Sequence, residues 1–368
     1  MQEGLAPAKA AKGSSTAEGS IRRCMEAAIA GEPVSSPVFA VYDWFVKNRS
    51  IDWQSLFDLG LGQINHADLI RYQRPHVEIL ETRQEIDGVI RRNVRWITDI
   101  GELHEWYMGE WRQEYLIKGA SDYQIMQRAW QDTAVLPWNE PFFESEARLG
   151  ESGITLGQLD RTPFQKIQID YAGLERFSID IATQERGLLD LLEIMNPVKL
   201  REFQVALGSP APQIKLWENL TIETMGPHLY RKYLVPLYRQ IFAILDGSDK
   251  KLQVHYDGKL RIIAEDIQRL PFDGLDSVTP PPEGDMSTAE ARQWWPDKFL
   301  WLHPTLTWYD LPMQKLLDNI RGMALAAGPK RFCLMISEEV PPNWQATVPQ
   351  IIELLKNDIE ITSGSLHR

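Results

Sequence analysis

Residues 251–278 read KLQVHYDGKLRIIAEDIQRLPFDGLDSV and contain one complete strand–helix–strand unit. A short apolar run over 252–255 ends at a polar turn, and an amphipathic stretch over 260–270 follows it. The next segment, 274–278, is apolar at alternate positions, which is typical of a strand. Because a helix that joins neighbouring strands implies parallel strands, this unit predicts an α/β fold with right-handed crossovers.

The same alternation continues toward the C-terminus. Strands are predicted over 299–302 and 332–336, and helices over 313–327 and 348–356. No Gly-x-Gly-x-x-Gly motif follows a strand, which argues against a dinucleotide-binding sheet. Such units fit a barrel or a doubly wound sheet, and we therefore predict a parallel (β/α) TIM barrel.

The N-terminal half has a looser pattern. A first strand is predicted over 38–42, and further strands over 203–207 and 213–217, before a helix over 226–245. Asp-Gly at position 87 lies within an alternating segment, which predicts a β-hairpin excursion from the barrel at about 78–117.

The predicted domain organisation is simple. Residues 1–20 are rich in Ala, Gly, Ser and Lys and are expected to form a disordered tail. Residues 21–368 are expected to form one barrel domain, which is a length that a decorated barrel can have.

The composition excludes some functions. A net charge of −12 without an offsetting basic cluster argues against nucleic acid as a partner. The sequence contains no apolar run of about 18 residues, the length that would indicate a membrane span. The two cysteines, Cys24 and Cys333, lie far apart, so we expect no disulfide framework and a cytoplasmic location.

Candidate site residues follow from the predicted barrel, because active sites of such barrels lie at the carboxyl ends of the strands. The predicted catalytic residues are Asp43, Glu218 and His303. The residues predicted to bind a small-molecule substrate are Trp44, Trp217, Asn219, Tyr256 and Asp276.

His255 and Asp257 lie two positions apart, so their side chains are expected on the same face of a strand. An imidazole and a carboxylate on one face favour half of a metal site or an acid–base pair. The simpler alternative is a hydrogen-bonded pair at the end of a strand. Glu338 follows the last strand beside Glu339, and two adjacent carboxylates in a pocket would call for a nearby positive charge.

These residues carry a resemblance to the uroporphyrinogen decarboxylase superfamily over about residues 200–356. The matching segments are "LVPLYRQIF", "VHYDG", "FDGLDSVTPPPEGDMSTAEARQWWP", "FLWLH" and "SEEVPP". The resemblance implies a (β/α)8 barrel with its site at the carboxyl ends of the strands. Decarboxylases of the family have an arginine-rich segment near the N-terminus, which "PVFAVYDWFVKNRSIDW" lacks.

The corrinoid-dependent methyltransferases of the same superfamily hold zinc through a His-x-Cys-Gly strand end and a later Cys. In this sequence the matching positions are His255, Asp257 and Glu338, so both thiolates are replaced by carboxylates. The resemblance thus implies Zn²⁺ or another divalent metal at these three residues. It also implies a corrinoid carried by a separate partner protein.

Three functions remain open at this point. The first is a metal-assisted methyltransferase that demethylates a small substrate and passes the methyl group to a corrinoid or thiol acceptor. The second is a metal-independent decarboxylase of a tetrapyrrole or smaller carboxylate, for which Arg49 would also matter. The third is a non-catalytic ligand-binding barrel. Barrels of this superfamily are monomers or homodimers, and the sequence favours neither.

Overall fold

A computed structural model describes residues 20–34, 36–48 and 50–357. The predicted tail at 1–20 lies almost entirely outside the described residues, and Arg49 lies outside them as well. The strands in chain order are β1 Phe39–Tyr42, β2 Gly62–Asp68, β3 Ile70–Gln73, β4 Glu78–Ile86, β5 Val89–Thr98, β6 Gly101–Met108, β7 Trp111–Glu114, β8 Ala134–Pro137, β9 Gly153–Leu159, β10 Gln213–Leu220, β11 Lys251–Tyr256, β12 Gly274–Val278, β13 Phe299–Leu302 and β14 Phe332–Met335.

The helices surround these strands. In chain order they are α1 Ile21–Ala30, α2 Asp43–Val46, α3 Trp53–Asp58, α4 Ala120–Trp130, α5 Glu140–Leu149, α6 Pro163–Lys166, α7 Gly173–Thr183, α8 Arg186–Leu207, α9 Ile222–Leu229, α10 Val235–Leu245, α11 Ala264–Arg269, α12 Thr288–Trp294, α13 Met313–Ala327 and α14 Trp344–Asn357. Two π-helical segments, Ile167–Ala172 and Tyr230–Leu234, follow α6 and α9.

Eight strands close a parallel barrel in the order β1-β14-β13-β12-β11-β10-β9-β2, which confirms the predicted TIM-barrel fold. Every neighbouring pair around the ring is parallel. Each barrel strand therefore presents its carboxyl end at the same mouth, and the polar residues that end the strands share that location.

The barrel has two apolar cores. The interior core includes Ile64, Leu156, Trp301 and Met335, and the larger core lies between the strands and the outer helices. Helix α1 closes the amino-terminal end of the barrel, where its Met25 belongs to the interior core. The interior is therefore largely filled by apolar side chains below the mouth.

The excursion between β2 and β9 is larger than a hairpin. Strands β4, β5, β6 and β7 form a four-stranded antiparallel sheet, and β3 pairs with β8 in a separate two-stranded sheet. Asp87-Gly88 forms the expected turn between β4 and β5, with both residues at positive φ.

One predicted strand is wrong. Residues 203–207 are the last residues of the 22-residue helix α8. Lys199, Glu202, Phe203 and Ala206 are buried along one side of this helix, and their spacing is helical rather than alternating. The run of apolar residues at 203–207 reflects the buried end of a helix. No helix among the described residues is long and apolar enough to cross a membrane.

Candidate functional site

A cluster of buried ionisable side chains lies at the barrel mouth. Its centre is Asp276 on β12, whose side chain is 1% exposed. The residues that surround Asp276 come from four other positions around the ring, namely Tyr42, Lys215, His255 and His303. We call Asp276 and these four residues the Asp276 cluster.

Each carboxylate oxygen of Asp276 contacts two partners. Oδ1 accepts a hydrogen bond from the Tyr42 hydroxyl and lies 3.5 Å from His303 Nε2. Oδ2 lies 2.7 Å from His255 Nδ1 and also contacts the Lys215 ammonium. Burial alone would raise the pKa of Asp276, but Lys215 and the two histidines hold it well below its usual range. Asp276 is therefore a carboxylate at neutral pH.

Lys215 supplies a positive charge at the centre of the mouth. Its side chain is fully buried on β10, and its Nζ lies 3.8 Å from the Trp217 ring centroid and 4.5 Å from that of Tyr42. Burial lowers the pKa of Lys215, while the Asp276 carboxylate opposes that effect. The two aromatic faces and the carboxylate together stabilise an ammonium that water does not reach.

His255 is the imidazole of the cluster that is closest to the opening. Burial alone would lower its pKa, but the charge of the Asp276 carboxylate, its hydrogen bond to His255 and the nearby Asp257 raise the pKa above the ordinary value. Its Nδ1 donates to Asp276, which leaves Nε2 pointing toward Asp257, whose Oδ2 lies 3.7 Å away. Asp257 is 36% exposed, so the proton on His255 Nε2 lies next to the solvent-facing part of the mouth.

His303 and Glu338 form an ion pair beside the Asp276 cluster. His303 Nδ1 lies 3.1 Å from Glu338 Oε1, which also accepts hydrogen bonds from Ser277 and Thr279. Burial would lower the pKa of His303, but the Glu338 and Asp276 carboxylates raise it to about 9. Burial would raise the pKa of Glu338, but His303 and the hydroxyl of Ser277 lower it to about 2.

His66 on β2 extends the polar network on the other side of Lys215. Its Nδ1 lies 2.9 Å from Asp43 Oδ1, and its Nε2 lies 3.3 Å from Lys215 Nζ. Burial and the neighbouring ammonium lower its pKa to about 4. His66 is therefore neutral at pH 7, with Nδ1 donating to Asp43 and Nε2 accepting from Lys215.

Aromatic rings cover this network from the side of β1 and β10. Trp44 stacks on Tyr42 with ring centroids 4.4 Å apart, and it lies 5.6 Å from Trp217. Trp217 in turn lies 4.9 Å from the His255 ring. The two tryptophans predicted to bind substrate therefore line the approach to His255.

Two of the predicted site residues lie on barrel strands, but their side chains face the surrounding helices. Glu218 accepts hydrogen bonds from the Tyr238 hydroxyl, at 2.8 Å, and from Thr162, while Tyr256 donates to Tyr238 at 2.9 Å. Burial raises the pKa of Glu218 to about 7. The structure thus brings Asp43, Trp44, Trp217, His255, Asp257, Asp276, His303 and Glu338 together at the mouth, and it does not place Glu218 or Tyr256 with them.

Asn219 lies at a break in the regular pairing of β10. The register between β10 and β11 shifts between Trp217 and Leu220, and Asn219 has a positive φ of 49°. Its side-chain oxygen is buried without a hydrogen-bond partner in the structure. Its proposed role in substrate binding stays a prediction.

The predicted metal ligands are not gathered around one point. His255 and Asp257 are neighbours, but Glu338 is bound to His303, Ser277 and Thr279. Among residues 20–34, 36–48 and 50–357, no group of three or more His, Cys, Asp or Glu side chains is arranged to hold a metal ion. The side chains as arranged do not fit a metal ion, and the metal site stays a prediction.

Sequence reasoning missed three members of this network: Tyr42, His66 and Lys215. The clearest signal was Lys215, a lysine inside the otherwise apolar strand segment "IKLW". A lysine at such a position is expensive to bury without a partner, so it indicates a carboxylate nearby. His66 gave a weaker signal, because its strand was not recognised.

The fold and the mouth define a (β/α)8-barrel protein with a polar centre of the kind that enzymes of this fold place at the strand carboxyl ends. The chain is similar to a methyltransferase from Methanosarcina mazei, with a TM-score of 0.54 and 13% identity, over 91% of this chain and 98% of that one. This likeness shows a shared fold.

A second similar structure is a Listeria monocytogenes protein described as a vitamin-B12-independent methionine synthase. Its TM-score is 0.38 at 14% identity, over 60% of this chain and 68% of that one. No model of a known protein family matches the chain, and no curated protein sequence matches it.

Proposed function

We propose that this protein is a methyltransferase-type enzyme that acts at the Asp276 cluster. The observation that carries the proposal is the His255 imidazole, which is held by Asp276 and directed toward the open part of the mouth. Perturbed ionisable groups that meet in one cleft are typical of catalytic sites. The sequence resemblance at His255, Asp257 and Glu338 and the fold shared with a methyltransferase support methyl transfer as the reaction type.

The reaction is the demethylation of a small O-methylated substrate that lies against Trp44 and Trp217. The bond between the methyl carbon and the substrate oxygen breaks as the methyl group passes to the nucleophilic acceptor, which is a thiol that attacks as its thiolate. A corrinoid carried by a partner protein would be the alternative acceptor. The departing oxygen takes a proton from His255 Nε2. Asp276 stabilises the imidazolium before this transfer and orients its ring.

The surrounding residues have supporting roles in this proposal. Lys215 balances the charge of Asp276, so that the carboxylate stays ionised after His255 has lost its proton. Tyr42 and His303 fix the other carboxylate oxygen. A divalent metal at His255, Asp257 and Glu338 is the competing form of this proposal, and it would first require Glu338 to leave His303 and Ser277.

The test is methyl transfer from a panel of O-methylated compounds carrying a ¹³C-methyl group, with a small thiol or a reduced corrinoid as the acceptor. His255→Gln is expected to lower the rate by about 10²- to 10⁴-fold, the usual contribution of a general acid. His104→Gln is the matched control, because His104 lies in the excursion, 38% exposed, and pairs there with Glu114.

Equal rates for His255→Gln and His104→Gln would overturn the role of His255. Loss of the carboxyl group rather than the methyl group from the substrates would instead support the decarboxylase alternative. Activity that is lost to a chelator and restored by Zn²⁺ would favour the metal-assisted form. In that case Glu338→Gln should also lower the metal content, which elemental analysis measures.

A further inference from the structure

A second polar cavity lies between the excursion sheet and the π-helical segment after α6. Its volume is about 230 Å³. The residues that line it are Tyr72, Arg74, Trp96, Glu105, Arg112, Leu116, Asp160, Lys166, Asp170 and Tyr171. It contains none of the residues of the Asp276 cluster.

Most of the charges in this cavity are already paired. Arg112 Nε lies 3.1 Å from Glu105 Oε2, and Lys166 contacts the carboxylates of Asp160 and Asp170. These contacts use both lining cations other than Arg74 and all three lining carboxylates. Each of the three carboxylates therefore has a direct cationic partner other than Arg74.

Arg74 is the lining cation that lacks a direct carboxylate partner among the described residues. Its guanidinium carbon lies 4.2 Å from the Trp130 ring centroid, 4.5 Å from that of Tyr72 and 5.3 Å from that of Trp96. Within the described part of the chain, no carboxylate lies within ion-pair distance of Arg74, and its buried Nε has no hydrogen-bond partner. The rings hold the guanidinium in place without neutralising it.

Tyr171 brings a second unused donor to the same cavity. Its ring packs edge-on against Trp96, with centroids 5.7 Å apart, so Tyr171 and Arg74 flank one tryptophan. The Tyr171 hydroxyl is buried and has no hydrogen-bond partner in the structure. Buried donors that stay unpaired are costly, and two of them beside one cavity indicate an acceptor that binds there.

We infer that this cavity binds the carboxylate group of a small organic acid, with Arg74 and Tyr171 as its donors. A bound carboxylate would give Arg74 the ion-pair partner that no described side chain provides. Its two oxygens match the donors that a guanidinium presents. A phosphate dianion is a poorer match, because its second charge would lie near Glu105, Asp160 and Asp170. This site is separate from the proposed reaction and does not depend on it.

Calorimetric titration with acetate, butyrate, benzoate and inorganic phosphate tests the inference. We expect the wild-type protein to bind at least one of the carboxylates more tightly than phosphate. Tyr171→Phe should weaken this binding about 5-fold, the effect of one lost hydrogen bond. Because the hydroxyl is unpaired without the ligand, the same substitution should not lower thermal stability.

Arg74→Met should weaken carboxylate binding more than Tyr171→Phe does, by about 10-fold or more, since it removes the charge. Arg83→Met is the matched control, because Arg83 is 69% exposed on β4 and should leave binding unchanged. Should Arg74→Met fail to fold, Tyr171→Phe alone decides. Carboxylate affinity that is equal in the wild type and Tyr171→Phe, or a preference for phosphate, would overturn the inference.

Discussion

The buried contact between Lys215 and Asp276 makes a strong prediction about stability. Lys215→Met keeps most of the length and apolar surface that pack against Trp217 and Tyr42, but it removes the ammonium. Removing one partner of a buried ion pair typically costs about 3–5 kcal/mol. Asp276 would keep its contacts with Tyr42 and two histidines, so we expect a loss at the lower end, about 3 kcal/mol.

Urea denaturation followed by tryptophan fluorescence measures this loss, with Lys259→Met as the control. Lys259 forms an ion pair of similar geometry with Glu223, at 2.7 Å, but both side chains are about half exposed. Its substitution should change the free energy of unfolding by about 0.5 kcal/mol or less. If Lys215→Met costs no more than Lys259→Met, Lys215 is not the charged partner of Asp276 that we describe.

The double variant Lys215→Met/Asp276→Asn sharpens this measurement. Asp276→Asn alone leaves Lys215 and the two histidines without their shared carboxylate. The combined loss should therefore be smaller than the sum of the two single losses, because the second substitution removes a charge that the first one left unpaired. Strictly additive losses would mean that the two side chains do not interact.

The remaining predictions concern pH. The His303–Glu338 pair should contribute its full stability only between pH 4.5 and pH 6.5, the ordinary pKa values of the two side chains. The contribution of His303 is lost as pH rises from 6.5 through about 9. The contribution of Glu338 is lost as pH falls from 4.5 through about 2. Unfolding midpoints across this range measure both limbs, and Glu338→Gln should flatten the acid limb; an unchanged acid limb would contradict the pairing. For methyl transfer, the rate should fall as pH rises through the raised pKa of His255, because the imidazolium is the acid.

The barrel could be predicted because its strand–helix units are regular after residue 250. The strands at 252–255, 274–278, 299–302 and 332–336 all belong to the closed ring, with bounds that differ by no more than one residue at either end. In this region short apolar runs end in polar turns and alternate with helical segments, which made the strands recognisable. Residues 203–207 misled because a short apolar run fits a strand and the buried end of a helix equally well.

The candidate site was predictable in its location and less so in its composition. Strand ends gave Asp276, His255 and His303, since each follows an apolar run. Trp217 and Glu218 are neighbours on one strand, so only one of the two side chains can face the barrel interior. The sequence alone does not decide between them, because the pairing of β10 with β11 changes register after Trp217. Lys215 lies one layer below the strand end, so a search of strand ends does not find it, although a lysine within the apolar segment "IKLW" indicates a nearby carboxylate.

The most direct test of the proposed active site compares two buried carboxylates at strand ends. Asp276→Asn and Glu218→Gln are equivalent substitutions, but the Asp276 side chain lies in the cluster at the mouth and the Glu218 side chain faces the surrounding helices. In the ¹³C-methyl transfer assay we expect Asp276→Asn to lower the rate by about 10²-fold or more, and Glu218→Gln to leave it within about 3-fold of the wild type. A larger loss in Glu218→Gln than in Asp276→Asn, with both variants folded, would contradict the assignment of the active site to the Asp276 cluster.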